Sequence, residues 1–423
     1  MTSMIYVITN KGLLNITKYK SFYASCIAVI HNLDVREVPI AVVGNLQQKG
    51  SVVLAASPPM KKRFGVKTAT TRLHEIPSHP DIKIFEPKMQ YFLEMSMAVT
   101  NILHKYVPPE AIHVYSVDEN FIDLTGTEKL WGSPENTIKE IQKEILETLQ
   151  LRSTAGMGPN MLMAKLALDL EAKKTGFAKW TYEDVQTKLW PVSPLSEMWG
   201  IGRNVEKSLN NMGIFSIGQL AKTPLELLEN KFGIKMGNQL FYHAHGIDLS
   251  ELGAPIINHQ ISYGKSQILM RDYNKKEEVL AVILEMCEDV AKRARDSCQA
   301  GRTISLGIGY SKNSFGGGFQ RARTINEATN DTMEIYRVCK GLLKENYDER
   351  PVRQISISIT KLEDEQSMQL SLFEKNNWKN RKLAAAMDGI RNRYGSAALL
   401  RAISYTPAGT AVKRSKMVGG HKS

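Results

Sequence analysis

Acidic residues are missing from the start of this 423-residue chain, where Asp34 is the first Asp or Glu. They nearly vanish again at the other end. Residues 375–423 hold eleven Lys or Arg against the single Asp388, a net of +10 out of the formal +12. The body of the chain is therefore close to neutral. Charge argues for a polyanionic partner mainly at the C-terminal stretch, where "VKRSKMVGGHKS" reads equally well as a solvated end. Cysteine is scarce: Cys26, Cys287, Cys298 and Cys339 form no CxxC and no His/Cys cluster at zinc-ligand spacing, so neither a disulfide framework nor a structural zinc is indicated and ordinary thiols are expected. No apolar run approaches the roughly 20 residues of a membrane span, and "MTSMIYVITNKG" lacks a secretory pattern. The expectation is a soluble, cytoplasmic protein with no membrane partner. Internal repeats and low-complexity runs are absent as well.

What is present is ordinary globular material, 43% hydrophobic and 23% charged, long enough for two to four domains. "GLLNIT" and "EVPIAVVG" read as short strands around a helical "YKSFYASCIAVIHNL". "SPPMKKRFGVKTATT" is a basic segment whose prolines can open a helix but not sit inside one. "MQYFLEMSMAVTNILHKYV" has helical periodicity and ends at Pro108. "AIHVYSVDENFIDLTG" alternates as a hairpin does, and Ser133 is placed to cap a long helix. From about Trp190 to Leu249 the pattern is wholly helical. Beyond it the elements follow in the order βαββαβ, a ferredoxin-like unit by count.

Three short stretches carry chemistry. Asp118 and Glu119 in "YSVDENFIDL" are adjacent carboxylates among β-formers, a donor set for a hard divalent cation if the strand bends there, and a solvated hairpin edge otherwise. "WGIGRNVEKSLNNMGI" sets Gly200 and Gly202 before a helix bearing Arg203 and Lys207. Its outward N–H groups and basic side chains suit a DNA phosphate. "MQLSLFE" presents Gln369, Leu370, Leu372 and Phe373 as a short peptide with apolar anchors for a partner's pocket, with an edge strand as the alternative.

Taken in order, "KSFYAS", "VLAASPPMKKRFGVKT", "YSVDENFIDLTG", "GMGPNMLMAKLALDLEAKK" and "WGIGRNVEKSLNNMGI" resemble the motifs of a Y-family translesion DNA polymerase of the bacterial UmuC-like branch, the impB/mucB/samB type. The resemblance runs from about Leu13 to Leu372. It implies an α+β multidomain fold shaped as a right hand: palm at 12–31 and 88–185, fingers at 32–87, thumb at 186–250 with a helix-hairpin-helix, and a ferredoxin-like little finger at 256–363. A clamp-binding peptide and basic tail then occupy 364–423. It also implies primer-template DNA, deoxynucleoside triphosphates and a sliding clamp as partners, with two Mg²⁺ ions held through Asp118 and Glu119. Phe22 and Tyr23 match the nucleotide-floor aromatics, Tyr23 as the gate against a ribose 2′-OH. Lys62 and Arg63 match the triphosphate grip, although Pro59 stands where the family has tyrosine. Lys173 or Lys174 matches the palm lysine.

One departure bears on activity. The family has an aspartate five residues before the gate tyrosine, bridging both metals; here that position is Lys18. Unit charges 4 Å apart interact by roughly 4 kcal/mol at an effective dielectric of 20, and a sign reversal beside divalent ions raises the change to the order of 10 kcal/mol. Three readings follow: a weak or conditional polymerase, a pseudo-polymerase that binds DNA and clamp without chemistry, or an intact polymerase sequence with a substituted segment ahead of Tyr19.

Overall fold

The computed structural model describes residues 14–19, 21–252, 262–365 and 377–422. Strand β1 (Leu14–Tyr19) leads into helix α1 (Phe22–Ile30), and then come β2 (Ile40–Val43), β3 (Val53–Ala56), α2 (Pro58–Phe64) and β4 (Lys83–Phe85). Next in order are α3 (Met89–Leu103), β5 (Ile112–Ser116), β6 (Glu119–Asp123), the short α4 (Glu128–Trp131), α5 (Pro134–Leu149) and β7 (Ser153–Gly158). Helix α6 (Met161–Leu166) passes through a π-helical turn, Ala167–Ala172, into α7 (Lys173–Thr175) and β8 (Phe177–Lys179). Five strands form one sheet in the order β5-β6-β1-β7-β8, so β1 is central, and β3-β2-β4 form a separate small sheet.

Local chemistry explains where these elements begin. Ser57 accepts a hydrogen bond from the Met60 N–H, Pro58 opens α2, and Gly65 closes it in the left-handed region at φ 67°. Ser133 caps α5 by accepting from Asn136. Asn160 caps α6 by accepting from the Met163 N–H at 2.8 Å. Its amide donates to the Gly246 carbonyl at 2.8 Å, while Asp248 accepts from the Leu162 N–H. Both bonds tie the end of the helical region to the start of α6. That region holds α8 (Arg203–Asn210), α9 (Ile217–Ala221), α10 (Leu225–Phe232) and α11 (Ile234–Ala244). It shares a core with the first sheet, in which Phe121, Leu162, Met163 and Leu166 pack with Leu209, Ile217 and Leu240.

Contacts divide the chain into Met1–Pro255 with His421–Ser423, and Ile256–Gly420. The second unit runs β9 (Ser262–Tyr273), α12 (Lys276–Asp296), β10 (Gln299–Tyr310), β11 (Gly318–Thr329), α13 (Thr332–Asn346) and β12 (Val352–Asp364). Its sheet is antiparallel throughout in the order β11-β10-β12-β9. Both helices pack on one face around Val282, Met286, Leu306, Ile335 and Ile357.

The stretch read from the sequence as a basic tail is folded from Asn377 on. It holds α14 (Asn377–Tyr394) and α15 (Ala411–Arg414), fastened to α12 largely by charge. Arg391 and Arg401 both donate to Glu288 Oε1, at 3.1 and 2.9 Å, and Arg295 pairs with Asp388 at 2.7 Å. Glu285 accepts from the Thr410 hydroxyl and from the N–H groups of Thr410 and Ala411. Because Arg391 and Glu288 are both buried, removing Glu288 takes from Arg391 and Arg401 the carboxylate they share and leaves Arg391 with Asp388 at 3.9 Å, a loss of about 3 kcal/mol. Glu288→Ala is expected to lower the stability of the second unit by that order and to make the 377–420 region protease-sensitive, as read by urea midpoint and limited proteolysis.

Candidate active site

Sheet pairing assembles the site at one end of β1. Register places Lys18 directly opposite Glu119 on β6 and opposite Thr154 on β7. Residues opposed in this way have Cα atoms about 4.5–5.5 Å apart. Strands β5 and β6 are joined by the two-residue turn Val117-Asp118, so the alternation that would send Asp118 and Glu119 to opposite faces breaks at this point. Asp118 is half-buried, and its Oδ1 accepts from the Ser116 hydroxyl at 2.8 Å.

Tyr23 lies near Asp118. Its ring stacks on Phe92 with centroids 4.5 Å apart and planes 12° apart. Burial, then the Asp118 charge, then Cys26 hold its hydroxyl pKa above the ordinary value. Phe22 is buried, tilted against Tyr23 and edge-on to Phe92, and belongs to the core that supports the stack. Ser21, at φ 52°, sits in the left-handed region at the head of α1 and receives a hydrogen bond from Lys61 Nζ at 3.1 Å. Of the basic residues on α2, it is thus Lys61 that reaches the head of α1. Arg63 is exposed, donates to Asp81 at 3.0 Å and lies over the Phe64 ring; Lys62 is exposed.

Behind the carboxylates runs a chain of alternating charges. Lys165 Nζ lies 2.6 Å from Glu119 Oε2, with side chains 7% and 4% exposed. It is also 3.4 Å from Asp169, which pairs with Lys173 at 2.9 Å. Of the two lysines that the sequence leaves open, Lys173 therefore joins this network; Lys174 is exposed. Lys165 escaped the sequence reading because it interrupts an otherwise apolar helix, a pattern that reads as core. Its ammonium lies 5.8 Å from the centroid of the Tyr115 ring, whose hydroxyl accepts from Trp199 Nε1 at 3.3 Å.

Trp199 leads into Gly200, at φ 94°, and Gly202, the residue before α8. The element ahead of this hairpin is a 3₁₀ turn, Leu195–Glu197, in place of a full helix. Arg203 and Lys207 are both exposed, four residues apart on one face of α8. Gln369, Leu370, Leu372 and Phe373 lie outside the described residues.

Asp118 and Glu119 supply hard oxygen donors on a rigid hairpin, which fits one hard divalent cation. Among the described residues no group of three or more His, Cys, Asp or Glu side chains gathers to hold a metal. No helix of the described residues is long and apolar enough to cross a membrane.

The same ordered set of parts is found elsewhere. The impB/mucB/samB family model matches residues 18–169, a DNA polymerase-iota thumb domain matches 196–248, and the impB/mucB/samB C-terminal domain matches 260–372. A Bacillus subtilis (strain 168) protein named for UV-damage repair, UvrX, is 56% identical over 406 residues, 96% of either chain. The chain belongs to the impB/mucB/samB family. A DNA polymerase IV 2 of Bacillus subtilis is 36% identical over 405 residues, 95% of this chain and 97% of its own. A solved Y-family DNA polymerase chimera, 20% identical, superposes with a TM-score of 0.65 over 83% of this chain and 99% of its own. This impB/mucB/samB protein accordingly has the Y-family right-hand fold, with palm, fingers, helical thumb and little finger.

In this family member Lys165 meets Glu119 because α6 lies directly on β7. A Cβ at Gly156 would come within 2.3 Å of the Ala164 carbonyl oxygen and 2.4 Å of the Leu168 nitrogen. Backbone atoms cannot yield as side chains do, so Gly156→Ala is expected to cost at least about 2 kcal/mol, measured as a lower urea midpoint.

Proposed function

We propose that this chain is a template-directed DNA polymerase of the translesion, DNA-repair type, with synthesis strongly curtailed by Lys18. The observation that carries the reading is the register: Lys18 stands directly opposite Glu119, in the strand the family uses for its first carboxylate. Asp118 and Glu119 are the residues that would hold Mg²⁺. When bound, the two ions the family implies would activate the primer 3′-OH and neutralise the triphosphate. With lysine at position 18 the donors described here favour one ion over a bridged pair. Tyr23 borders the sugar of the incoming deoxynucleoside triphosphate and excludes the 2′-OH. Lys61 is the basic residue of the fingers nearest the head of α1, and Lys62, Arg63 and Lys173 form the outer basic surface toward the triphosphate. Gly200, Gly202, Arg203 and Lys207 hold the DNA backbone by N–H groups and charge. Gln369 to Phe373 form the peptide for a sliding clamp.

A second reading is favoured by the same lysine. In it the chain binds primer-template DNA and clamp without chemistry. Primer extension separates the two readings. The unmodified chain with Mg²⁺ is expected to extend very weakly, and Lys18→Asp to raise the rate about a thousandfold or more, since roughly 4 kcal/mol of charge interaction corresponds to that factor. DNA affinity should change little in this variant and fall with salt. Robust extension by the unmodified chain would remove the argument from Lys18, whereas no rescue by the aspartate would leave the binding protein as the answer.

The gate role of Tyr23 has its own readout. In the Lys18→Asp background, Tyr23→Ala is expected to relax discrimination against ribonucleotides by roughly 10- to 200-fold, measured as the ratio of kcat/KM for the two sugars.

A further inference from the structure

The loop between β10 and β11 is anchored on both sides yet holds a phenylalanine out in water. The buried Ser311 accepts at its carbonyl from the N–H groups of Ser314 and Gly316, both at 3.0 Å, and its hydroxyl donates to Asp272 at 2.7 Å. The Gly317 carbonyl accepts from the Tyr310 N–H at 3.0 Å, and Arg350, lying over the Tyr310 ring, donates to the Gly316 carbonyl at 3.0 Å. Phe315, at the tip of this frame, is nevertheless more exposed than any other large apolar side chain among the described residues, at 101%. Its backbone also sits in the left-handed region, at φ 65°, where a side chain costs free energy that glycine would not. Gly316 and Gly317 follow, both at positive φ, and leave the flank of the ring bare of side chains. At one position the chain thus forgoes both the burial of a ring and a relaxed backbone.

Charge indicates what the ring faces. From Ser311 to Asn326 there is no Asp or Glu, while Lys312 and Arg321 are exposed. Asp272 and Asp348, the carboxylates bonded to the frame of the loop, are already paired, with Arg353 at 3.4 Å and with Arg350 at 2.7 Å. An aromatic face among exposed cations suits an unpaired nucleobase, whose ring stacks while the adjoining phosphates meet the lysine and the arginine. An apolar protein pocket would take the ring and leave those cations without a counter-charge. We propose that Phe315 is a stacking platform for an unpaired base of single-stranded DNA, with Lys312 and Arg321 drawing the neighbouring phosphates. The inference rests on the reading of the chain as a DNA-acting protein and holds whether or not it synthesises. Because stacking uses the face of a base and not its edge, the contact is indifferent to sequence.

The test is binding of the full-length protein, read by fluorescence anisotropy, to a labelled oligothymidylate, to an abasic strand of the same length and to a blunt duplex. Because the ring packs on nothing among the described residues, Phe315→Ala should leave the urea midpoint unchanged. It is expected to weaken binding to the oligothymidylate by roughly 5- to 150-fold, the span for losing one stacked base. The abasic strand and the duplex should bind the parent and this variant alike. Phe315→Trp should hold the oligothymidylate at least as tightly as the parent does, and Phe315→Leu should fall toward the alanine variant. Lys312→Ala should weaken the oligothymidylate and the abasic strand together. Unchanged affinity for the oligothymidylate in Phe315→Ala, an equal loss on the abasic strand, or full retention in Phe315→Leu overturns the proposal, and the first and last of these leave the ring to an apolar protein pocket. Failure of the parent to bind any of the probes would instead overturn the DNA-acting reading on which it depends.

Discussion

A carboxylate and an ammonium removed from water together, Glu119 and Lys165, constrain how the first sheet and α6 meet. Two charges buried in this way are tolerated where geometry holds them in register, because each recovers part of its desolvation through the other. That requirement explains the small residues of β7, whose Gly156 and Gly158 let α6 approach until backbone meets backbone. It also bears on Asn160 and Asp248, which fix the start of α6 and bring the end of the helical region with it. Sheet, helix and thumb are thus positioned around one pair of opposite charges.

Much of the architecture was legible in the sequence, for identifiable reasons. Strands and helices with one apolar face announce themselves by period, as in the "MQYFLEMSMAVTNILHKYV" helix and the "HVYSVDENFID" hairpin. Ser133 announced a helix start by its chemistry, and the structure has it capping α5. The bend that lets Asp118 and Glu119 leave strict alternation required only that the turn fall at Val117-Asp118, which no propensity dictates. Lys165 was not legible, because a lysine amid "MLMAKLAL" is absorbed into an apolar helix until its partner, 46 positions away in sequence, is known.

The C-terminal helix escaped notice for the converse reason. Helix α14 turns Asp388 and Arg391 inward, toward Arg295 and Glu288, while Leu383, Ile390 and Tyr394 stay exposed. A pattern read for apolar periodicity therefore points the wrong way. Charge bookkeeping by segment had the same blind spot: a run of basic residues looks like a solvated tail unless the acids that meet it, here Glu285 and Glu288, are known to lie on another helix. Family likeness locates such elements only where their sequences are shared. Lys18, at the first residue of the matched range, shows that one substitution can alter the chemistry of a site whose frame is retained.

The π-helical turn at Ala167–Ala172 gives the palm helix a property that a regular helix lacks. One residue beyond the α-helical count turns everything downstream by about 100° around the axis. Lys165 lies before the turn and Lys173 after it, so the turn acts as a phase shifter between an end that answers to the interior and an end that answers to solvent. Changes in length there can be absorbed as rotation of the outer end alone.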